Sequence, residues 1–279
     1  MEDRRAKLKS IIRKSRPLSV VLQWLFDPAY TPVHSINGWI KGQKGLILNF
    51  GSGSRNFARN VINLDCENLA NVHVVNKSQE VPFKEQSFDA VLLEYVLEHV
   101  ERPYELLSEV RRVLRPGAEV CVTVPFRQNY HACPHDYWRF TYEGLKELFA
   151  QTGFKNIRVA VYGGPVSAWI DATKEFLATI LCFGIPVLYE MLSQVLIIPF
   201  IPLRYLDIIF RKWSVAKYTA FSFQVLAQKE GVRTTPSRIN TDSVLEELLW
   251  IPEGFEAVKR GNVFWIEKRE HATAKVKRI

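Results

Sequence analysis

Two stretches of the chain bring together residue types that bind ligands or move protons. Asn49-Phe50-Gly51-Ser52-Gly53-Ser54 follows an apolar run, and closely spaced glycines there let backbone approach a ligand without Cβ clashes. Asp65 ends the next apolar run, where a carboxylate can accept hydrogen bonds from a ribose diol. The third glycine of the dinucleotide fingerprint is missing, because Arg55 follows Ser54, and no lysine follows the glycines. Both absences argue against nicotinamide cofactors and nucleoside triphosphates. Farther on, His131-Ala132-Cys133-Pro134-His135-Asp136 offers three groups, His131, His135 and Asp136, able to take a proton from an acceptor hydroxyl. His-x-Cys-x-His holds metal-donor types, but two-residue steps in one short loop match no common structural zinc spacing, so no metal is expected. Trp138 beside it is read as a packing residue.

These residues need a frame. From Gly45 onward short apolar runs alternate with helical periodicity, the pattern of an α/β sheet with strands buried on both faces. Strands are predicted at Leu46–Phe50, Val61–Asp65, Val72–Val75, Phe88–Leu93, Glu119–Val124, Ile157–Val161 and Phe221–Ala227. The glycine loop and Asp65 then stand at the carboxyl edge, where open α/β sheets bind their ligands, and the 131–136 segment follows the fifth strand near that edge. One helix begins near Pro103, carries Leu106, Leu107, Val110, Val113 and Leu114 at core spacing, and is expected to end at Pro116-Gly117. A second follows Thr141 as N-cap, with Leu145, Leu148 and Phe149 inward. A polar linker after Gly231, a short helix from Val244 and a hairpin turning at Lys259-Arg260-Gly261-Asn262 close the chain.

Taken in order and spacing, the run from Leu46 to Phe154 resembles a class I S-adenosylmethionine-dependent methyltransferase. The matching pieces are the glycine loop, Asp65, Val81-Pro82-Phe83, Ser87-Phe88-Asp89-Ala90-Val91, Leu97-Glu98-His99-Val100 and Glu109 to Gly117, which reads EVRRVLRPG. Pro134 to Thr141 resembles a subgroup linked to cell-surface glycan or lipid modification. The resemblance implies a doubly wound, Rossmann-like seven-stranded α/β sheet and S-adenosylmethionine as cofactor. It puts Gly51, Ser52 and Gly53 near the methionine part, Asp65 on the ribose, the Ser78 backbone at the adenine edge and Glu94 in the loop bordering the cofactor. Leu97-Glu98-His99-Val100 is read as shaping the next helix start. Three cofactor-site positions depart from the family: Asn49 and Lys77 stand where acids are frequent, and Arg55 replaces a glycine. The cofactor carries a sulfonium and an ammonium against one carboxylate, so lost acids remove favourable field. Only twelve positions separate Gly53 from Asp65, too few for a full helix and its turns, so one wall of the site must be abbreviated.

The domain reading is a basic lead-in at 1–40, a methyltransferase domain at 41–230 with an apolar helical insertion at 165–217, and a linker with a small appendage at 231–279. The net charge of +8 sits at the two ends, residues 1–16 and 268–279, leaving the body close to neutral. That distribution gives no support to nucleic-acid binding and suits an anionic membrane surface. Four cysteines at wide spacings fit reduced thiols and a cytoplasmic chain, peripheral on the inner face of a membrane. Between Phe176 and Leu203 the only charge is Glu190, yet Pro186, Pro199 and Pro202 break the stretch. It reads as a re-entrant or interface-lying helical pair, or as a buried core pair. The expected reaction is methyl transfer to an acceptor oxygen of a small molecule, glycan or lipid-linked intermediate. The rival is a non-catalytic membrane-associated scaffold that keeps the fold and has lost the cofactor.

Overall fold

The computed structural model describes residues 36–55, 57–78, 80–232 and 241–269. The basic lead-in up to residue 35, most of the linker and the end of the basic tail lie outside the described residues. The strands in chain order are β1 (Ile47–Phe50), β2 (Val61–Asp65), β3 (Val74–Asn76), β4 (Phe88–Glu94), β5 (Leu114–Pro125), β6 (Phe154–Gly163), β7 (Ser222–Lys229), β8 (Phe255–Arg260) and β9 (Val263–Lys268). They form one sheet in the order β6-β7-β5-β4-β1-β2-β3-β9-β8. Strands β1 to β5 run parallel, and β7 lies antiparallel between β5 and β6. The expected seven strands become nine because β9 pairs in parallel with β3, so the C-terminal hairpin extends the same sheet.

Helices α1 (Ile36–Gly42), α2 (Pro103–Val113), α3 (Tyr142–Gln151), α4 (Pro165–Leu181) and α5 (Pro186–Val195) complete the main elements. Alternation along β1 splits its side chains between two faces. Leu48 and Phe50 join Leu106, Leu107, Val110, Leu145 and Phe149 in the large core, while Ile47 joins Ile36 and Ile40 on the other face. Each fully buried aliphatic or aromatic side chain contributes about 1.5–3 kcal/mol. Helix α2 ends at Val113 and not at Pro116-Gly117, because Leu114 is already extended and β5 starts there. Thr141 caps α3 as expected, accepting the Gly144 N–H through its Oγ1 at 3.0 Å.

No helix fills the space between β1 and β2 among the described residues; turns do. Their carbonyls are held by asparagines. Asn63 donates its amide to the carbonyls of Arg55 (3.1 Å) and Asn71 (2.9 Å), and Asn71 donates to that of Ser54 (3.0 Å). The abbreviated wall foreseen from the spacing is therefore a turn network anchored on one buried side chain of β2.

The insertion buries polar side chains beside apolar ones and exposes several large apolar ones. The buried residues of α4 are Ser167, Ala168, Ile170, Asp171, Lys174 and Ala178, whereas Trp169, Phe176 and Ile180 are exposed. In α5 the only buried residue is Ser193, while Val187, Met191 and Val195 are exposed. Asp207 pins the start of α4 from within, accepting from the Val166 and Ser167 amides and the Ser167 hydroxyl. A helix packed on a protein core in water shows the opposite pattern, apolar inward and polar outward. No single described helix is long and apolar enough to cross a membrane; Pro186–Phe200 and Leu203–Phe210 together are, but they bend by 58°.

Candidate functional site

The strand order reverses at β1, which lies between β2 and β4, so the crevice beyond the carboxyl ends of these strands is the ligand site of such a sheet. The glycine loop opens there. Gly51 has φ +66°, and a Cβ on it would lie 2.4 Å from Val96 Cγ2, so only glycine lets the β1 end approach the β4 loop. Gly53 has φ +55°, and its Cβ position meets no atom within 4 Å. The loop folds back on β2 through the Gly51 and Ser52 amides, which donate to the Leu64 carbonyl.

Asp65 ends β2 with its carboxylate nearly buried. Oδ2 accepts the Gly53 N–H at 2.7 Å and Oδ1 accepts the Glu67 N–H at 3.0 Å, which leaves each oxygen a second lone pair. Glu94, at the end of β4, forms an ion pair with Arg55 from the glycine loop. Ser52 spends its hydroxyl on the Gly53 carbonyl. Asn49 is buried and donates its amide to Asn63 Oδ1 at 3.0 Å, so it fastens β1 to β2 beneath the loop. The Ser78 N–H is taken by Asn76 Oδ1 at 3.1 Å, so the backbone donor expected at the adenine edge is already in use. Lys77 is exposed beside it.

The segment after β5 is a clamped loop. Arg139 donates to both Asp136 oxygens (2.6 and 2.7 Å) and to the carbonyls of Gln128 and Asn129. Burial works against the Asp136 charge, but the Arg139 guanidinium and the His131 N–H outweigh it and bring the carboxyl down to about 2. Its contacts with Arg139 and the His131 N–H shape the loop. His135 is exposed, with its ring 5.5 Å from Tyr137. Trp138 is partly exposed, stacks on Phe140 and donates to the Val100 carbonyl. Cys133 lies within electrostatic reach of Cys66, next to Asp65. Burial first, then the Asp65 and Glu67 charges and Cys133, push the Cys66 thiol up to about 11. The loop after β5 thus crosses toward the ribose end of the crevice.

His131 meets the turn after β4. Its ring centroid is 5.1 Å from that of His99, and the Tyr137 N–H donates to the Glu98 carbonyl at 2.8 Å. Residues 97–99, read from the sequence only as a helix-start turn, do form a single 3₁₀ turn, and they also bring a carboxylate and an imidazole against His131. The adjacency of Glu98 and His99 was visible in the sequence, but nothing there indicated that the loop after β5 would fold back on them.

Residues 52–122 match the family model described as a methyltransferase domain. The match is consistent with a class I S-adenosylmethionine-dependent methyltransferase domain. The chain is 27% identical over 96 residues to an uncharacterised protein of Methanocaldococcus jannaschii, covering 30% of this chain and 47% of that protein. It is 29% identical over 157 residues to the demethylmenaquinone methyltransferase of Staphylococcus aureus, covering 43% of this chain and 64% of the enzyme. The match thus spans about half to two thirds of these relatives. A solved Haemonchus contortus phosphoethanolamine N-methyltransferase in complex with S-adenosyl-L-methionine is similar at 18% identity with a TM-score of 0.47, over 77% of this chain and 57% of that one.

S-adenosylmethionine is the cofactor of this methyltransferase domain. The residues present fit it at the ribose end, where the Asp65 carboxylate keeps acceptor capacity beyond the Gly53 and Glu67 amides and the Gly53 Cβ position opens into empty space. At the adenine end the fit is made without the family's acid and without a free Ser78 N–H.

Proposed function

We propose that the methyltransferase domain modifies an oxygen of a glycan or lipid-linked acceptor held at a membrane surface. The observation that carries this reading is the insertion, which buries Ser167, Asp171, Lys174 and Ser193 while it exposes Trp169, Phe176, Ile180, Val187, Met191 and Val195. Polar groups directed to the interior and apolar groups directed outward suit contact with hydrocarbon. The same insertion is fastened to the loop after β5, because Asp171 of α4 accepts the Asn129 N–H at 2.9 Å and Asn129 Nδ2 donates to the Asp171 carbonyl at 3.0 Å. Membrane contact and acceptor loop are two ends of one short connection.

S-adenosylmethionine supplies, when bound, a methyl group already activated on its sulfonium sulfur. The work of the chain is to bind, orient and move a proton. Asp65 holds the ribose hydroxyls and Glu94 borders the cationic part. With Asp136 committed to Arg139, the exposed His135 imidazole is the group placed to accept the proton of the acceptor hydroxyl. The test is to incubate the full-length chain with methyl-labelled cofactor and separate lipid, glycan and protein fractions of membranes. Label on an oxygen of a lipid-linked or glycan product supports the reading; label confined to amines or to protein overturns it.

The Arg55 to Glu94 pair favours a second reading, a scaffold without cofactor, because a protein cation already answers the acid at the crevice. Calorimetry with S-adenosylhomocysteine separates the two: a binding isotherm excludes the scaffold.

A further inference from the structure

Glu98 is fully buried, and neither of its carboxylate oxygens has a hydrogen-bond partner. Buried carboxylates without partners are rare, because desolvation is uncompensated. Two imidazole nitrogens face it: His99 Nε2 at 3.8 Å and His131 Nε2 at 3.7 Å from Oε1, both too long for hydrogen bonds. His131 Nε2 is likewise buried and unpartnered.

The other nitrogen of each ring is spoken for. His99 Nδ1 lies 2.5 Å from the His135 carbonyl and His131 Nδ1 lies 2.9 Å from the Asn129 carbonyl. A nitrogen against a carbonyl carries the proton, so in each neutral ring the lone pair is on Nε2; at His131 the 2.9 Å contact with the Asn129 carbonyl decides this over the longer 3.3 Å approach of Arg139 Nη2. Lone pairs from two imidazoles and one carboxylate therefore converge, with the ligating atoms of Glu98, His99 and His131 all within 4.8 Å of one another. Backbone carbonyls that fix the tautomer of both rings are the usual outer support of metal-ligating histidines.

We propose that Glu98, His99 and His131 form a site for a divalent transition-metal ion, of the two-histidine, one-carboxylate type. Bond lengths of about 2.0–2.1 Å around a tetrahedral ion put ligand atoms about 3.3–3.4 Å apart, so the two Glu98–histidine separations close by roughly 0.4 Å and the histidine–histidine separation, within 4.8 Å, by up to about 1.4 Å. Borderline nitrogen donors select zinc, iron or manganese over magnesium or calcium. Three protein ligands leave at least one position open, and the imidazoles are 15% and 29% exposed, which gives an entry path. The site lies at the carboxyl edge between the loops after β4 and β5, in the same loop as His135. Resting on the proposed oxygen acceptor, the open position takes that oxygen and polarises its hydroxyl.

The site itself is tested without activity. The full-length chain, stripped with chelator and desalted, is titrated calorimetrically with zinc and with magnesium, and with cobalt followed by absorption. One zinc per chain at micromolar affinity or tighter is expected, with no comparable magnesium binding, and with cobalt bands lacking a thiolate charge-transfer feature. His99→Ala and His131→Ala should each weaken zinc at least tenfold, and Glu98→Gln likewise where it folds. The absence of one-to-one zinc binding in the native chain, zinc affinity unchanged in the histidine variants, or a thiolate band assigning the ion to Cys66 and Cys133 would each overturn the site. Zinc bound as expected with no zinc dependence of oxygen methylation would leave the site standing and remove only its role in the reaction.

Discussion

Arg55 and Glu94 form an ion pair across the switch-point crevice, one from the glycine loop after β1 and the other from the end of β4. Arg55 stands where the family often has glycine, and its guanidinium covers Glu94, the acid that the proposed function sets beside the cationic part of the cofactor. Its side chain is 40% exposed, so solvent screens the pair, and it is worth about 0.5–1 kcal/mol. Arg55→Ala should therefore tighten S-adenosylmethionine about two- to fivefold by calorimetry. S-adenosylhomocysteine, which lacks the sulfonium charge, should gain less. Weaker binding of both would show that Arg55 helps to hold the ligand.

Asp65 accepts the Gly53 and Glu67 amides, and the proposed function gives it the ribose diol as a second duty. Asp65→Ala removes the charged acceptor of two hydroxyls and should weaken S-adenosylhomocysteine by about 1.5–3 kcal/mol, roughly ten- to a hundredfold. Asp65→Asn keeps one oxygen for the loop and should lose less. Circular dichroism and a melting curve establish that both variants are folded, and unchanged affinity in a folded Asp65→Ala variant would remove the ribose assignment.

Asn63 replaces a helix with three side-chain hydrogen bonds. Asn63→Ala leaves the Arg55 and Asn71 carbonyls and the Asn49 amide unpaired near a buried position and should cost about 2–4 kcal/mol in urea unfolding. Asn49→Ala, which removes only the bond between Asn49 and Asn63, should cost less than half as much. Equal costs would mean that the turn network does not carry the abbreviated wall.

Apolar contact with lipid survives salt, whereas head-group attraction falls with it. Sedimentation with anionic vesicles should show binding that declines with salt to a nonzero floor. Replacing Phe176, Phe183 and Met191 by Ser should abolish the floor. These side chains are 63%, 83% and 61% exposed, so each change should alter stability by only about 0.5 kcal/mol. Ile197, in the same insertion, is buried, so its replacement would test packing instead. No vesicle binding at low salt would rule out the membrane reading.

Cys66 is exposed at residue level, yet burial of its thiol and the Asp65 and Glu67 charges raise its pKa to about 11. A group so raised is protonated throughout neutral pH and ionises only as pH climbs past 10. At pH 8 its thiolate fraction is about a hundredfold below that of an ordinary thiol. Mass-spectrometric alkylation with iodoacetamide should label Cys66 about that much more slowly than a reference peptide thiol, and Asp65→Asn should speed it. Labelling of Cys66 at the rate of the reference would contradict the assigned environment.

Local pattern determined much of this protein. The run of β2 was delimited to the residue, and β1, β4 and β7 to within a residue or two, because strands inside a sheet buried on both faces are mostly apolar. The position of Asp65 at the carboxyl edge and the lack of room for a helix before it followed from counting residues. Tertiary structure decided what counting could not. Whether the insertion turned its apolar side inward or outward depended on where Asp171, Lys174 and Asp207 found partners, and both orientations fit the same sequence. The hairpin could stand alone or extend the sheet, and only the free edge of β3 settled it. His131 and Glu98 are 33 positions apart with no shared motif, and their meeting depends on a loop that Arg139 and Asp136 fold back toward the β4 turn. Nothing in the local sequence encodes that distance, because it is set by long-range hydrogen bonds between segments that follow different strands.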